Sequence, residues 1–216
     1  MNRQSCETKS GHASEIGDRM ISGIVLAGGS SARMGFPKAL LKINGKTFLE
    51  QIVSVLHSAR VMDIVIVLGA EEERIRDEMK WFAGRIIVNP EWETGQLYSL
   101  RAGLNALGGK EIHGALICPV DHPLISQSII VDLLQAFWKS GKSIIIPTYE
   151  DRRGHPVIFA KTWFEHLNAA PSDEGARAIV RAHPEAVCEV PTNERGVVLN
   201  IDTNDDYENF IALKRE

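Results

Sequence analysis

Two cations follow a glycine-rich turn at the end of an apolar segment near the start of the chain. The segment from Ile24 onward reads IVLAGGSSARMGFPK, with Gly28 and Gly29 in the turn and Arg33 and Lys38 after it. Since glycine has no Cβ, the backbone at both glycines can take a positive φ and come close to a ligand, which leaves backbone N–H groups free to point at phosphate oxygens. A guanidinium holds two phosphate oxygens at once, and an ammonium adds a point charge. The spacing therefore predicts a site for a polyphosphate.

The turn differs from two widespread phosphate-binding loops. It contains neither GxxxxGK[ST] nor GxGxxG, so neither the P-loop nor the dinucleotide fingerprint applies. The alternative for Arg33 is a solvated surface arginine, and the alternative for Lys38 is a surface lysine beside the turn at Pro37. The glycines that precede both residues favour phosphate contact over these alternatives.

Two aspartates follow later apolar segments of strand length. Asp121 comes after ALICPV, and Asp202 comes after Val197 to Ile201, which we expect to be the final strand. Because ligands collect at the carboxyl ends of the strands of an open α/β sheet, we expect both carboxylates to lie beside the glycine-rich turn. Carboxylates together with substrate phosphates are suitable ligands for Mg²⁺. The alternative for Asp121 is a turn residue, and for Asp202 a helix cap beside Thr203.

The elements that position these residues alternate between strand length and helix length. The expected strands are Ile21 to Leu26, Asp63 to Leu68, Arg85 to Val88, Ala115 to Pro119 and Ser143 to Pro147. The expected helices are Thr47 to Ser58, Glu71 to Lys80, Gln96 to Leu107, Ser128 to Ser140, Ser172 to Arg181 and Thr203 to Leu213. This alternation predicts an α/β fold with a mainly parallel sheet that is covered on both faces.

Two local signals refine that prediction. Thr47 and Glu50 have the spacing of a capping box at the start of the first long helix. After Pro147 the pattern changes, because the turn DRRG is followed by a short apolar run from Pro156 to Ala160. We therefore expect an antiparallel insertion in the sheet, with acceptor-binding residues beside it.

The bulk composition excludes several classes of protein. The chain has 216 residues, of which 44% are hydrophobic and 24% are charged, as is typical of one globular domain. A net charge of -4 argues against a general nucleic-acid surface, which needs clustered basic residues. The three cysteines lack CxxC spacing, and no apolar run reaches the roughly 18 residues that cross a bilayer. We expect a cytoplasmic protein without a membrane partner, and a flexible extension over residues 1–20.

Five motifs of the chain resemble one enzyme family. LAGGSSARMGFPK is similar to the LAxGxSxRMGxxK signature of the MobA-like nucleotidyltransferases, which transfer a nucleoside monophosphate from an NTP to a phosphorylated acceptor. The segments CPVDHPLIS, RGHPVIF, DEGAR and NIDTNDDY resemble the molybdenum cofactor cytidylyltransferase branch of that family, often called MocA-like. The resemblance implies a single three-layer, Rossmann-like nucleotidyltransferase domain over residues 21–216, with molybdopterin as the acceptor.

The resemblance also implies roles for particular residues. Catalysis would depend on Arg33, Lys38, Asp121 and Asp202, with Mg²⁺ held by the two aspartates. The nucleotide would contact Leu26, Ala27, Gly28, Gly29, Arg33, Lys38, Gly95, Gln96 and Ser99. For Gly95, Gln96 and Ser99, the alternative is an ordinary turn at the start of a helix, with the serine on one face. The acceptor would contact His122, Arg153, His155 and Arg177. For these last four, structural histidines, a polar hairpin tip and an exposed helix arginine remain open as alternatives.

One position indicates a different base from the other motifs. Relatives that use CTP usually carry Ala at the position of Gly28, whereas those that use GTP usually carry LAGG, as this chain does. The motifs of the cytidylyl branch are more numerous, so the resemblance implies CMP transfer from CTP to molybdopterin with release of pyrophosphate. The alternatives are a guanylyltransferase acting on molybdopterin, a sugar-phosphate nucleotidyltransferase and a non-catalytic carrier of nucleotide or cofactor. A molybdoenzyme that receives the product is a further expected partner.

Overall fold

Strands and helices alternate along the chain. The computed structural model describes residues 20–107 and 111–213. Its strands are β1 (Ile21–Ala27), β2 (Lys42–Ile43), β3 (Lys46–Thr47), β4 (Ile64–Leu68), β5 (Arg85–Val88), β6 (Gly114–Pro119), β7 (Ile144–Tyr149), β8 (Arg152–Arg153), β9 (Val157–Ala160) and β10 (Val187–Pro191). Its α-helices are α1 (Phe48–Ser58), α2 (Glu72–Asp77), α3 (Gln96–Ala106), α4 (Gln127–Lys139), α5 (Phe164–Ala169), α6 (Ala176–Ala182) and α7 (Asn204–Leu213).

One large sheet organises the molecule. Its strand order is β10-β7-β9-β6-β1-β4-β5, and β8 pairs with β7. The pairs β10/β7, β6/β1, β1/β4 and β4/β5 are parallel, whereas β9 runs antiparallel to both β6 and β7. The strands β2 and β3 form a separate antiparallel pair. The predicted mainly parallel sheet with an antiparallel insertion is therefore confirmed.

Helices cover both faces of this sheet. Neighbouring residues of β1 point to opposite faces, so Val25 belongs to one apolar cluster with residues of α1, α4 and α7, while Ile24 belongs to another with residues of α3, α5 and α6. Every residue of β1, β4 and β6 is buried, which explains why these strands appear in the sequence as continuous apolar runs. The three-layer, Rossmann-like arrangement expected from the sequence is confirmed.

Local signals placed the start of α1 correctly. The backbone N–H of Glu50 donates to Thr47 Oγ1 at 3.1 Å, and the backbone N–H of Thr47 donates to Glu50 Oε2 at 2.7 Å. This reciprocal pair is the predicted capping box, and it satisfies two N–H groups that the first helical turn leaves without partners. The helix consequently begins at Phe48, one residue after the expected start.

The prediction of a final strand over Val197 to Ile201 is wrong. Residues Arg195–Val197 form a 3-10 turn, and the chain then continues without a strand to Asp202. Val197 and Ile201 are both fully buried, so the apolar pattern in the sequence reflects burial of these side chains rather than pairing of a β-strand in the sheet. The carbonyl of Val197 instead accepts a hydrogen bond from His155 N at 2.7 Å. The edge strand β10, which the sequence did not predict, pairs with β7.

Two helices are shorter than expected. The helix α2 ends at Asp77 rather than Lys80, and α6 begins at Ala176 rather than Ser172. In α6 the start is set by Gly175, whose φ of 60° lies outside the helical region. Most of the DEGAR motif therefore lies in the turn before the helix.

The predicted extension over residues 1–20 falls, except for its last residue, outside the described part of the chain. Met20 belongs to the fold, because its carbonyl accepts a hydrogen bond from His113 N at 2.9 Å and its side chain packs against the apolar cluster that includes Ile24. Within residues 20–107 and 111–213, no helix combines the length and the apolar character that a membrane crossing requires.

Candidate functional site

Three parallel strands end at the same edge of the sheet, and the candidate site lies there. The carbonyl of Gly28, just after β1, accepts a hydrogen bond from Ala70 N at 3.1 Å, just after β4. The carbonyl of Leu26 accepts from Val120 N at 3.0 Å, just after β6. These bonds hold the glycine-rich turn and the segment containing Asp121 side by side, as the strand order requires.

The loop between β1 and Lys38 is held by Ser31. The carbonyl of Ser31 accepts hydrogen bonds from Met34 N at 2.9 Å and from Gly35 N at 3.2 Å. The hydroxyl Oγ of Ser31 accepts from Lys38 N at 3.0 Å. Ser31 has a φ of 49° and Gly35 has a φ of 62°. The loop therefore folds back through Ser31 and fixes the backbone position of Lys38.

Neither Gly28 nor Gly29 uses the left-handed region that is open to glycine. The two glycines serve close approach instead. A Cβ on Gly28 would lie 3.0 Å from Ser99 Oγ and 3.4 Å from Gly69 N. A Cβ on Gly29 would meet nothing within 4 Å, so this backbone borders open space that a ligand can enter.

Both cations of the loop contact one carboxylate. Arg33 Nη2 lies 3.0 Å from Asp202 Oδ2, and the Lys38 ammonium donates to Asp202 Oδ1. The Arg33 side chain is 68% exposed, whereas that of Lys38 is 14% exposed. The pair with Lys38 is thus the better shielded of the two, because an exposed pair is weakened by solvent.

Asp121 lies next to the same group of charges. Its carbonyl accepts a hydrogen bond from Ile201 N at 2.8 Å, which holds the segment before Asp202 against the end of β6. Burial acts to raise the pKa of Asp121, but a hydrogen bond from His122 and the positive charges of His122 and Lys38 outweigh it. The pKa of Asp121 is therefore below its ordinary value, and the carboxylate is ionised at neutral pH.

The backbone of Asp202 is held by Asp206, a residue that was not among the candidate site residues of the sequence. Asp206 Oδ2 accepts hydrogen bonds from the N–H groups of Asp202, at 3.0 Å, and Thr203, at 2.8 Å. The N–H of Asp206 donates to Thr203 Oγ1 at 3.1 Å. The spacing of Thr203 and Asp206 resembles a capping box, and that signal in the sequence could have identified the role.

A first cavity of about 260 Å³ opens between the glycine-rich turn and the start of α3. Of the nine residues expected to contact a nucleotide, all but Arg33 line it: Leu26, Ala27, Gly28, Gly29, Lys38, Gly95, Gln96 and Ser99. Asp121 also lines this cavity. Sequence reasoning missed Trp92, whose ring is part of the wall, and Asn89, whose Nδ2 donates to Ser99 Oγ at 3.1 Å.

A second cavity of about 580 Å³ adjoins the first, and the two share Leu26, Gln96 and Pro119. Three of the four predicted acceptor residues, Arg153, His155 and Arg177, line the second cavity. The fourth, His122, is not part of its lining, but its ring contacts that of His155 with centroids 4.8 Å apart. The wall also contains apolar side chains from the sheet and from α3: Leu97, Leu100, Ile117, Ile146, Val157 and Phe159.

His155 is uncharged at neutral pH. Burial, followed by the neighbouring charge of His122, lowers the pKa of His155 to about 4, and Arg177 acts in the same direction. Its Nδ1 atom is buried and has no hydrogen-bond partner among the described residues. A buried nitrogen without a partner is uncommon, because leaving it unpaired is costly.

The carboxylates of Asp121 and Asp202 are a suitable donor set for a divalent cation. Both belong to adjacent segments, and hard oxygen donors suit Mg²⁺ when phosphate oxygens and water complete the coordination. No group of three or more His, Cys, Asp or Glu side chains within residues 20–107 and 111–213 is arranged to hold a metal alone. Two carboxylates alone would leave most of the coordination of such a cation to phosphate oxygens and water.

Comparisons with known proteins identify relatives over most of the chain. The model of the MobA-like NTP transferase domain matches residues 23–187. Nicotine blue oxidoreductase of Paenarthrobacter nicotinovorans is 30% identical over 85% of this chain and 92% of that protein. A probable molybdenum cofactor guanylyltransferase of Methanosarcina mazei is 30% identical over 90% of this chain and 92% of that protein. Rv0371c of Mycobacterium tuberculosis, solved in complex with manganese, has a TM-score of 0.76 with 25% identity, covering 89% of this chain and 98% of that one.

Proposed function

Because this chain belongs to the MobA-like NTP transferase family and is a nucleotidyltransferase, we propose that it transfers CMP from CTP to the phosphate of molybdopterin and releases pyrophosphate. One observation carries the proposal. The two cavities adjoin at Leu26, Gln96 and Pro119, with Asp121 and Lys38 in the wall of the first. A reaction between two substrates requires such neighbouring sites, whereas a carrier needs only one.

The first cavity suits the triphosphate. The open backbone at Gly29, the ammonium of Lys38 and the guanidinium of Arg33 supply the donors and charges that phosphate oxygens need. In this proposal Lys38 contacts the α-phosphate, and the more exposed Arg33 contacts the β- and γ-phosphates. Trp92 and Gln96 then lie beside the base, where an aromatic face and an amide are available to it.

Asp121 and Asp202 would hold Mg²⁺ together with the phosphates of CTP. When bound, the cation neutralises the negative charge of the triphosphate and of the pyrophosphate that leaves. The depressed pKa of Asp121 supports this role, because an ionised carboxylate is the form that binds a cation. The manganese complex of Rv0371c is a further reason to propose a divalent cation in a protein of this fold.

The transfer itself needs no nucleophile from the protein. An oxygen of the acceptor phosphate forms a bond to the α-phosphorus, the bond from that phosphorus to the bridging oxygen breaks, and its electron pair leaves with pyrophosphate. The protein contributes position and charge, which is how phosphoryl-transfer enzymes generally act. In this proposal Lys38, which lines the first cavity, stabilises the charge on the α-phosphate as the new bond forms.

The choice of CTP rests on the resemblance of the later motifs to the cytidylyl branch. Two of these motifs, RGHPVIF and DEGAR, supply residues of the second cavity, so they relate more directly to the acceptor than to the base. A guanylyltransferase is therefore the second candidate, supported by Gly28 in the first cavity and by the name of the Methanosarcina mazei relative.

Pyrophosphate release, measured with CTP, GTP, ATP and UTP in the presence and absence of molybdopterin, tests the proposal. We expect release that requires both molybdopterin and Mg²⁺ and is fastest with CTP. Faster release with GTP would replace the proposal with the guanylyltransferase. Release with a sugar 1-phosphate but not with molybdopterin would replace the acceptor, and ligand binding without any release would indicate the non-catalytic carrier.

A further inference from the structure

Three arginines line the second cavity, and only Arg177 among them has no hydrogen-bond or ion-pair partner within residues 20–107 and 111–213. Arg153 Nε donates to Glu189 Oε1 at 2.8 Å, and Arg181 Nη1 lies 3.3 Å from Glu174 Oε2. The guanidinium of Arg177 makes no hydrogen bond or ion pair with any of the described residues. Arg177 is therefore the arginine of this cavity whose charge is free for a ligand.

The ring of His155 belongs to the wall of the same cavity. His155 and Arg177 both line it, and the charge of Arg177 is one of the causes that lower the pKa of His155. Because Nδ1 of His155 is buried, Nε2 is the ring nitrogen that a ligand can reach. The neutral ring carries one hydrogen, which can be on either nitrogen. The tautomer with the hydrogen on Nε2 leaves Nδ1 unprotonated, so no buried N–H group is unsatisfied. The cavity then offers one free cation and one N–H donor.

The position of this pair relates it to the first cavity. The ring of His155 lies 4.8 Å from that of His122, measured between centroids. His122 Nδ1 in turn lies 2.9 Å from Asp121 Oδ1. An anion beside His155 is thus separated by a single imidazole from the carboxylate that faces the first cavity.

We propose that Arg177 and His155 bind the phosphate monoester of the acceptor, Arg177 through its charge and His155 through an Nε2–H hydrogen bond. This inference rests on the proposed transfer to a phosphorylated acceptor. A planar guanidinium can donate hydrogen bonds to two oxygens of one phosphate. The neutral imidazole of His155 adds an N–H donor without adding a second positive charge. The neighbouring arginines, already neutralised by Glu189 and Glu174, contribute little to this subsite.

A matched pair of variants on α6 tests the assignment. We expect Arg177→Ala to raise the KM for molybdopterin about 10- to 100-fold and to leave the KM for the nucleotide within about twofold, because a charge-assisted bidentate contact is lost. Arg181→Ala, one helical turn further on, is the comparison, because that guanidinium already pairs with Glu174 across an exposed contact, and it should raise the KM for molybdopterin less than Arg177→Ala does. Arg177→Lys should recover only part of the affinity, since it keeps the charge and loses the fork.

A second pair distinguishes a hydrogen bond from a structural role of the ring. The amide nitrogen of Gln extends about as far as Nε2, whereas that of Asn lies near Nδ1. We therefore expect His155→Gln to keep most of the affinity for molybdopterin and His155→Asn to lose it. Thermal unfolding of each variant checks the fold, and if neither His155 variant folds, the comparison of Arg177 with Arg181 decides the assignment.

Inorganic phosphate provides a probe that does not depend on turnover. Titration of phosphate, followed calorimetrically, should show at least tenfold weaker binding to Arg177→Ala than to the wild type and to Arg181→Ala. Equal phosphate affinity in all three proteins would overturn the subsite. A raised KM for the nucleotide alone would assign Arg177 to the triphosphate. If the wild type released no pyrophosphate but the phosphate titrations differed as expected, the proposed function would fail while the anion site would stand.

Discussion

The guanidinium of Arg33 lies 3.0 Å from the carboxylate of Asp202, across 169 positions of sequence. The same carboxylate accepts a hydrogen bond from Lys38, so one side chain near the C-terminus neutralises two cations that follow β1. A triphosphate that binds Arg33 and Lys38 must displace the carboxylate of Asp202 from them. A divalent cation that draws Asp202 away would assist that exchange, which couples the binding of metal and nucleotide.

The first prediction concerns this competition. Asp202→Asn should bind CTP in the absence of metal more tightly than the wild type, by roughly three- to tenfold, because the competing carboxylate is neutralised. The same variant should lose about 100-fold in kcat/KM with Mg²⁺, since a proposed metal ligand is gone. Calorimetry in EDTA and steady-state kinetics measure the two effects. Asp205→Asn is the control, because Asp205 is an exposed carboxylate of the same helix. Weaker metal-free binding by Asp202→Asn would contradict the idea of competition.

The second prediction concerns Lys38. Its replacement by Met should lower kcat/KM about 100-fold. The reason is that the variant loses the positive charge that is proposed to contact the α-phosphate, at a largely buried position. Lys42→Met is the matched control, since that lysine lies four residues further on and is exposed. Initial rates of pyrophosphate release report both variants. Similar losses in the two would show that overall charge, rather than position, explains the effect.

The third prediction concerns base preference. In Gly28→Ala the new Cβ would lie 3.0 Å from Ser99 Oγ and would narrow the first cavity beside α3. We expect the ratio of kcat/KM for CTP to that for GTP to rise about tenfold, because a larger purine tolerates the added methyl group less well. The double variant Gly28→Ala with Ser99→Ala removes the hydroxyl that the methyl group meets, so the ratio should fall back. An equal loss for both nucleotides would show that this contact does not select the base.

The fourth prediction concerns Asp206. Hydrogen bonds from Thr203 and from the backbone of Asp202 hold the pKa of Asp206 below its ordinary value. A lowered pKa stabilises the fold at pH values above the unfolded pKa, and this contribution is lost as the pH falls through the folded pKa. Asp206→Asn should therefore reduce the free energy of unfolding by about 1 kcal/mol at neutral pH, with a smaller difference in acid.

The same variant should also slow transfer roughly tenfold, since the backbone of Asp202 loses a charged acceptor. Urea unfolding between pH 7 and pH 3 and the rate of transfer are the two measurements. A stability difference that does not depend on pH would show that the charge of Asp206 is not involved. Asp205→Asn again provides the reference, because its carboxylate makes no such backbone contacts among the described residues.

The fold was predictable because its signals are local. Fully buried parallel strands appear as continuous apolar runs, and the capping box at Thr47 and Glu50 lies within one turn of helix. The loop after β1 was recognised from its glycines and cations, although the residues with positive φ are Ser31 and Gly35. Residue types therefore indicated the location of the loop but not how its backbone turns.

The remaining features depend on contacts between distant segments. The apolar residues Val197 and Ile201 suggested a strand, yet they are buried without joining the sheet, because the backbone of Val197 packs against the turn at Gly154. The partners of Asp202 and the free state of Arg177 likewise follow from how three parts of the chain meet. No periodicity within one segment contains that information.

The division of the site along the sequence has an evolutionary consequence. The first cavity is built from residues between Leu26 and Asp121, whereas the residues that distinguish the second come mainly from positions 153–159 and 172–181. Under the proposed function, substitutions confined to these later positions would alter which molecule accepts the nucleotide and would leave Lys38, Asp121 and Asp202 in place. A single scaffold can in this way diversify into enzymes with different acceptors.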